Sequence, residues 1–319
     1  MFDLEKIEET AALVHRYMPP TPQYAWPLLS ARAGAEVWVK HENHTPIGAF
    51  KLRGGLAYLH DLTQRRSDLP GVIAATRGNH GQSIAYAART MGVRAVIVVP
   101  HGNSAEKNEA MRALGAELVE HGHDFNAALD HVKDLAAARG LVMLPSFHPL
   151  LVRGVASYGL ELLRHVPDLD TVYVPIGLGS GIVGTMSARD ALGLKTEVVG
   201  VVAERAAAYA LSYAAGEPVA TNSADTMADG LAVRVPDADA LAAIRAGASR
   251  IVTLSEAEIA AAIRAYFTDT HNLAEGAGAA ALAALLQERD RMAGRKVGVI
   301  LSGGNIDRPV YRKILAEDG

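Results

Sequence analysis

No cysteine occurs among the 319 residues, which excludes disulfides, thiolate metal sites and a cysteine nucleophile. The absence fits a reducing cytoplasm, the expected location. Charge of one sign is also scarce. Against 35 Asp and Glu stand 31 Lys and Arg, leaving -4 at pH 7. No global field therefore recruits nucleic acid or anionic lipid. No apolar run reaches the roughly 18 residues that a membrane span needs. The nearest, AEGAGAAALAALL (274–286), is short and carries Glu275 near its start. The N-terminus, MFDLEKIEETAALVHRYM, is acidic rather than a basic-then-apolar leader. Its Leu4, Ile7, Ala11, Val14 and Tyr17 recur at helical spacing. There is no low-complexity tract, charge block, repeat or obvious linker. The 12 histidines form no ligand-spaced cluster, and no metal is expected.

What is present is ordinary globular composition, half hydrophobic and 21% charged, with length enough for two domains. Short β-branched runs alternate with alanine-rich helical stretches. The strand candidates are residues 37–40, 71–76, 95–100, 117–122, 142–145, 171–176, 197–204 and 296–301. Alternation of this kind predicts right-handed βαβ crossovers and α/β architecture, with open, twisted, mainly parallel sheets flanked by helices. Boundaries near Arg53–Gly55 and Ser146–Gly154 make residues 54–147 a small inserted α/β domain. Residues 1–53 plus 148–319 are then a large domain.

Four segments carry chemistry. Lys51 lies in KHENHTPIGAFKLRGG, between an apolar strand and a helix expected to open with Gly54 and Gly55. An amine so placed can form a Schiff base, although a single lysine after a strand is more commonly a solvated surface charge. The other segments are ATRGNHGQS (75–83), VPIGLGSGIVG (174–184) and LSGGNID (301–307). Each is a glycine-rich turn after an apolar strand, where backbone amides and small hydroxyls approach a ligand. Together they describe a pocket for a phosphorylated cofactor with a reactive carbonyl.

Each segment also has a blander reading. Gly179 to Gly184 matches the GxGxxG dinucleotide pattern, but glycines and free amides at a helix start suit any phosphate. A purely structural tight turn is the alternative there. Asn79 can donate to a ring oxygen or a carboxylate, or simply cap a helix. His80 taken singly is more often a packed residue than a catalyst, and Ser302 can reach a ligand or cap its turn.

Taken in order and spacing, the four segments resemble the fold-type II family of pyridoxal-phosphate enzymes (tryptophan synthase β-like). The branch is that of threonine/serine dehydratases and serine racemases, and the likeness runs from about residue 15 to about 310. The resemblance implies pyridoxal 5'-phosphate held between two domains, with Lys51 as the catalytic lysine and Phe50 flanking it. It implies that Gly177, Leu178, Gly179, Ser180 and Gly181 bind the cofactor phosphate. Asn79 is then the partner of the ring 3-oxygen, Ser302 faces the pyridine nitrogen, and Glu275 lies near the ring. Thr76, Arg77, Gly78, Asn79 and His80 receive the α-carboxylate of a small amino-acid substrate. A homo-oligomer, dimer or tetramer, follows from the same likeness.

Departures from the pattern are informative. Where racemases carry a serine as second acid/base, this chain has Arg77. A guanidinium cannot release its proton at physiological pH, so elimination is favoured over racemisation. Arg77 can instead fork a carboxylate or pair with a nearby glutamate. The racemase cation site is matched at Glu204 and Ala208 but ends in Ala210, which removes a charged ligand. About a dozen residues follow the Ser302 loop, leaving no room in this sequence for an appended regulatory domain.

The expected reaction is conversion of a 3-hydroxy amino acid, L-threonine or L-serine by default, to a 2-keto acid and ammonia. Lys51 acts as general base at Cα. Ser302, a hydroxyl, does not hold the ring nitrogen protonated, which favours prompt loss of the β-hydroxyl over transamination. The alternatives are phenylserine or threo-3-hydroxyaspartate as substrate, β-replacement, racemisation, and NAD-dependent oxidoreduction at 179–184.

Overall fold

The computed structural model describes residues 2–317. Ten strands form two sheets among the described residues. In chain order they are β1 Gln23–Ala25, β2 Glu36–His41, β3 Val72–Ala75, β4 Ala95–Val99 and β5 Glu117–Glu120. There follow β6 Val142–Met143, β7 Thr171–Pro175, β8 Glu197–Ala203, β9 Arg250–Leu254 and β10 Lys296–Leu301. The larger sheet runs β1-β2-β10-β7-β8-β9 and is parallel except for the short antiparallel edge strand β1. The smaller sheet runs β5-β4-β3-β6 and is wholly parallel. No helix of the described residues is long and apolar enough to cross a membrane.

All eight expected strands are present. β1 and β9 were not expected, for different reasons. β1 has three residues, none of them fully buried, and exists through its pairing with β2. β9 mixes exposed and buried positions between two helices, so its apolar signal is broken. The strands that were legible, such as β3, β4 and β7, are buried along their whole length. Parallel sheets covered by helices on both faces read as continuous apolar runs.

Each sheet carries a buried apolar layer on both faces. The helix Gly276–Gln287 shows how composition decides placement. Its residues 276–285 are all buried, because alanine and glycine let it lie close to the larger sheet and to the neighbouring helices at once. The helix Lys51–Arg65 begins at the lysine itself, three residues before the glycines expected to open it. Gly55 instead permits close packing, since a Cβ there would lie 2.1 Å from Ser83 Oγ.

Behind this helix lies a closed charge cluster. Arg53 donates to Glu42 at 2.7 and 2.9 Å and to Glu161 at 2.6 and 2.9 Å. Lys40 donates to Glu161 at 2.5 Å, to the Thr21 carbonyl at 2.7 Å and to Gln23 at 2.8 Å. Burial alone would raise the Glu161 carboxyl. The His15 hydrogen bond and the charges of Arg53 and Lys40 hold it well below the usual carboxylate range. Every charge in the cluster is matched, as buried ions require.

Candidate active site

The carboxyl ends of β2, β3, β7 and β10 lead into the four glycine-rich segments. All four face one cavity of about 380 Å³. Ligand sites in parallel α/β sheets form at such strand ends. Every residue nominated from the sequence lines it: Phe50, Lys51, residues 76–80, residues 177–181, Glu275 and Ser302.

Lys51 occupies the first position of its helix, with Nζ 4.9 Å from the centre of the Phe50 ring. Desolvation pulls its pKa from 10.5 to about 8, opposed by the charge of Glu275. A neutral amine is therefore accessible near physiological pH. His80 is held neutral, with its pKa near 3, by burial and then by the Lys51 charge. Its Nε2 is shielded from solvent and unpaired among the described residues.

The 177–181 turn is a backbone cradle. A Cβ on Gly177 would lie 2.3 Å from the Gly230 carbonyl oxygen, so no side chain fits. Gly179 has φ +100°, in the left-handed region, and caps the 12-residue helix Ser180–Ala191 without a side-chain hydrogen bond. The free amides of that helix start face the cavity end, the arrangement that receives an anion. Two buried tyrosines brace the turn. Tyr209 Oη donates to the Leu178 carbonyl at 3.1 Å, and Tyr158 Oη to the Gly181 carbonyl at 2.9 Å.

Asn79 is not the helix cap; Gly78 takes that position. The Asn79 amide instead donates to Glu275 at 2.6 Å. Burial pushes the Glu275 carboxyl up, and Lys107 and Asn79 oppose the rise. Ser302 Oγ is buried and donates, at 3.3 Å, to the Ala277 carbonyl. Arg77 pairs with Asp229, an aspartate, at 3.8 Å and remains 48% exposed.

The sequence reading missed Lys107, Asp229 and Arg234, all of which line the cavity. Lys107 is 8% exposed and sits 3.3 Å from Asp229 and 3.4 Å from Glu275. It looked like one more charge in AEKNEAMRA. Its i,i+4 phase with buried Met111 was the available signal. Glu204, of the racemase-like cation pattern, is exposed in the short turn Glu204–Ala206. No cluster of three metal-ligating side chains is found among the described residues.

Comparison with known proteins agrees with this geometry. A family model described as pyridoxal-phosphate dependent enzyme matches residues 14–303. The chain is 31% identical to the L-threo-3-hydroxyaspartate ammonia-lyase of Saccharomyces cerevisiae over 309 residues, 96% of this chain and 94% of that protein. It is 32% identical to the L-threonine ammonia-lyase of Thermotoga maritima over 319 residues, 99% of this chain and 78% of that protein. Among solved structures, maize serine racemase superposes with a TM-score of 0.91 at 27% identity, covering 98% of this chain and 96% of that one.

Proposed function

This chain belongs to the pyridoxal-phosphate dependent enzyme family, and from that premise we propose that it is a lyase of 3-hydroxy amino acids. L-Threonine or L-serine is converted to a 2-keto acid and ammonia. The observation that carries the reading is Lys51, desolvated to a pKa of about 8, in the same cavity as a glycine-rich anion cradle.

The residues present fit pyridoxal 5'-phosphate. The amides at the start of Ser180–Ala191 suit its phosphate, and the amine of Lys51 suits its aldehyde. Asn79 and Ser302 supply hydrogen-bonding groups along the cavity wall. When bound, the cofactor supplies an electron sink for charge developing at the substrate α-carbon. The protein residues do the rest. Amides and hydroxyl of the 76–80 turn hold the α-carboxylate, and Arg77 adds a fixed positive charge beside it. Lys51, neutral in a useful fraction at pH 7 to 8, accepts the α-proton at Nζ. Ser302 offers a hydroxyl and no negative charge, so it does not stabilise a protonated ring nitrogen. His80 stays neutral and adds no competing cation.

A second reading, an acidic substrate such as L-threo-3-hydroxyaspartate, is favoured by two under-committed guanidiniums. Arg77 has one loose partner, and Arg234 has only the Thr221 carbonyl at 3.3 Å and no ion pair among the described residues. Its yeast relative named for that substrate adds weight.

The same proposal includes the division at 54–147, which is supported by the four strands of the smaller sheet lying between 72 and 143. It includes a cytoplasmic homo-oligomer, dimer or tetramer, and sedimentation analysis checks the assembly.

The test is keto-acid release by purified protein supplied with pyridoxal phosphate, comparing L-threonine, L-serine and L-threo-3-hydroxyaspartate. Failure to bind the cofactor sinks the proposal, and so does an unchanged rate in Lys51→Ala. A preference of roughly a hundredfold for hydroxyaspartate, about 2.7 kcal/mol, selects the second reading.

A further inference from the structure

An asparagine in LSGGNID has a role that neither the sequence pattern nor the reading above assigns. Asn305 Nδ2 donates twice, at 2.8 Å to the Ile47 carbonyl and at 2.8 Å to Asn79 Oδ1. Both its amide hydrogens are thereby used, and its orientation is fixed because both partners are acceptors. Asn79 Oδ1 receives that bond, so Nδ2 must point the other way, where it donates to Glu275 Oε1 at 2.6 Å. Lys107 Nζ stands 3.4 Å from the second oxygen, Glu275 Oε2. An ammonium there opposes the rise that burial imposes on this carboxyl and stands against Oε2, leaving Oε1 as the acceptor for Asn79.

The backbone is shaped around this chain. A Cβ on Gly303 would lie 2.5 Å from Glu275 Oε1 and 3.3 Å from Asn79 Nδ2. A Cβ on Gly48 would lie 2.7 Å from Asn305 Oδ1. Two residues without side chains thus flank a relay that spans the loops after β2, β3 and β10.

We propose that Asn305 and Lys107 are positioning residues that lock the side-chain amide of Asn79 in one orientation. One N–H of Asn79 Nδ2 is committed to Glu275, and the other is presented to the cavity as a fixed donor. In the active-site reading, on which this inference rests, that donor serves an oxygen of the cofactor ring. Without the pin the amide can invert and present its carbonyl oxygen instead, an acceptor against an acceptor.

The experiment uses holoenzyme and follows the visible absorption band of bound pyridoxal phosphate, its pH titration and the cofactor Kd. Asn305→Asp keeps the size of the side chain and replaces the donor with a third acceptor. Asn305→Asp and Asn305→Leu are both expected to weaken cofactor binding roughly 10-fold, about one hydrogen bond to a charged group, and to shift the titration midpoint. Lys107→Met is expected to shift it in the same direction. The double variant Asn79→Ala/Asn305→Leu decides the matter. If Asn305 acts through Asn79, the double variant matches Asn79→Ala alone. Additive effects overturn the proposal, as does a lowered Tm in Asn305→Leu with band, midpoint and Kd unchanged. Should Asn305→Asp fail to fold, Asn305→Ala, which only removes atoms, is read by the same cycle. A wild-type protein with no visible band overturns the active-site reading and this inference together.

Discussion

Two clusters of paired charge, one buried and one bordering the cavity with Arg77 48% exposed, are built to different tolerances. In the cluster of Lys40, Glu42, Arg53 and Glu161, the ion-pair contacts fall between 2.5 and 2.7 Å. In the cluster of Arg77, Lys107, Asp229 and Glu275 they are 3.3 to 3.8 Å. The first has no spare capacity and faces only protein. The second borders the cavity and leaves donors and acceptors partly free. Tight pairing marks charges whose partners are all internal, and slack pairing marks charges that still have a partner to meet. Both are built from lysine, arginine and carboxylates, so charge type alone does not separate scaffold from site.

The contrast is sharpest if each cluster is broken in turn. Arg53→Met is expected to leave Glu42 uncompensated and cost about 3–5 kcal/mol of stability, read by urea unfolding. A loss below about 1 kcal/mol would mean the tight cluster does not hold the fold. Acid should act on the same cluster. The folded-state pKa of Glu161 lies below its unfolded value, so its contribution is present above the unfolded pKa and lost as pH falls below it. The urea midpoint should therefore drop below about pH 4, and less so in Glu161→Gln.

The cavity side is expected to respond in function rather than stability. The rate of cofactor incorporation into apoprotein follows neutral Lys51. It should rise about tenfold from pH 6 to pH 7 and level off above about 8. A flat profile would contradict the desolvated amine. Asp229→Asn removes the anion shared by Lys107 and Arg77 and is expected to lower kcat/KM roughly fivefold, about 1 kcal/mol. Its Tm should stay within a few degrees of wild type, the smallest effect of the series.

Sequence patterning made the sheets legible because their strands are buried on both faces and keep an unbroken apolar signal. It failed at β1, which exists by pairing, and at β9, whose faces are mixed. In the site, glycine-rich turns after strands were legible because close backbone approach leaves a composition mark. Lys107, Asp229 and Asn305 left no such mark. Their meaning comes from contacts across 122, 168 and 226 positions of chain, which no local pattern records. Asn79 was open to reading as a cap because its partner, Glu275, lies 196 residues away.

The helix Gly276–Gln287 bears on how this protein can be redesigned. It is enclosed for ten consecutive residues, and the residue immediately before it, Glu275, stands in the cavity wall. Diversity introduced there would be filtered by folding before any catalyst was screened. The rim at Arg77 and Arg234 is exposed, so a library confined to those two codons would pass the folding filter and reach the screen.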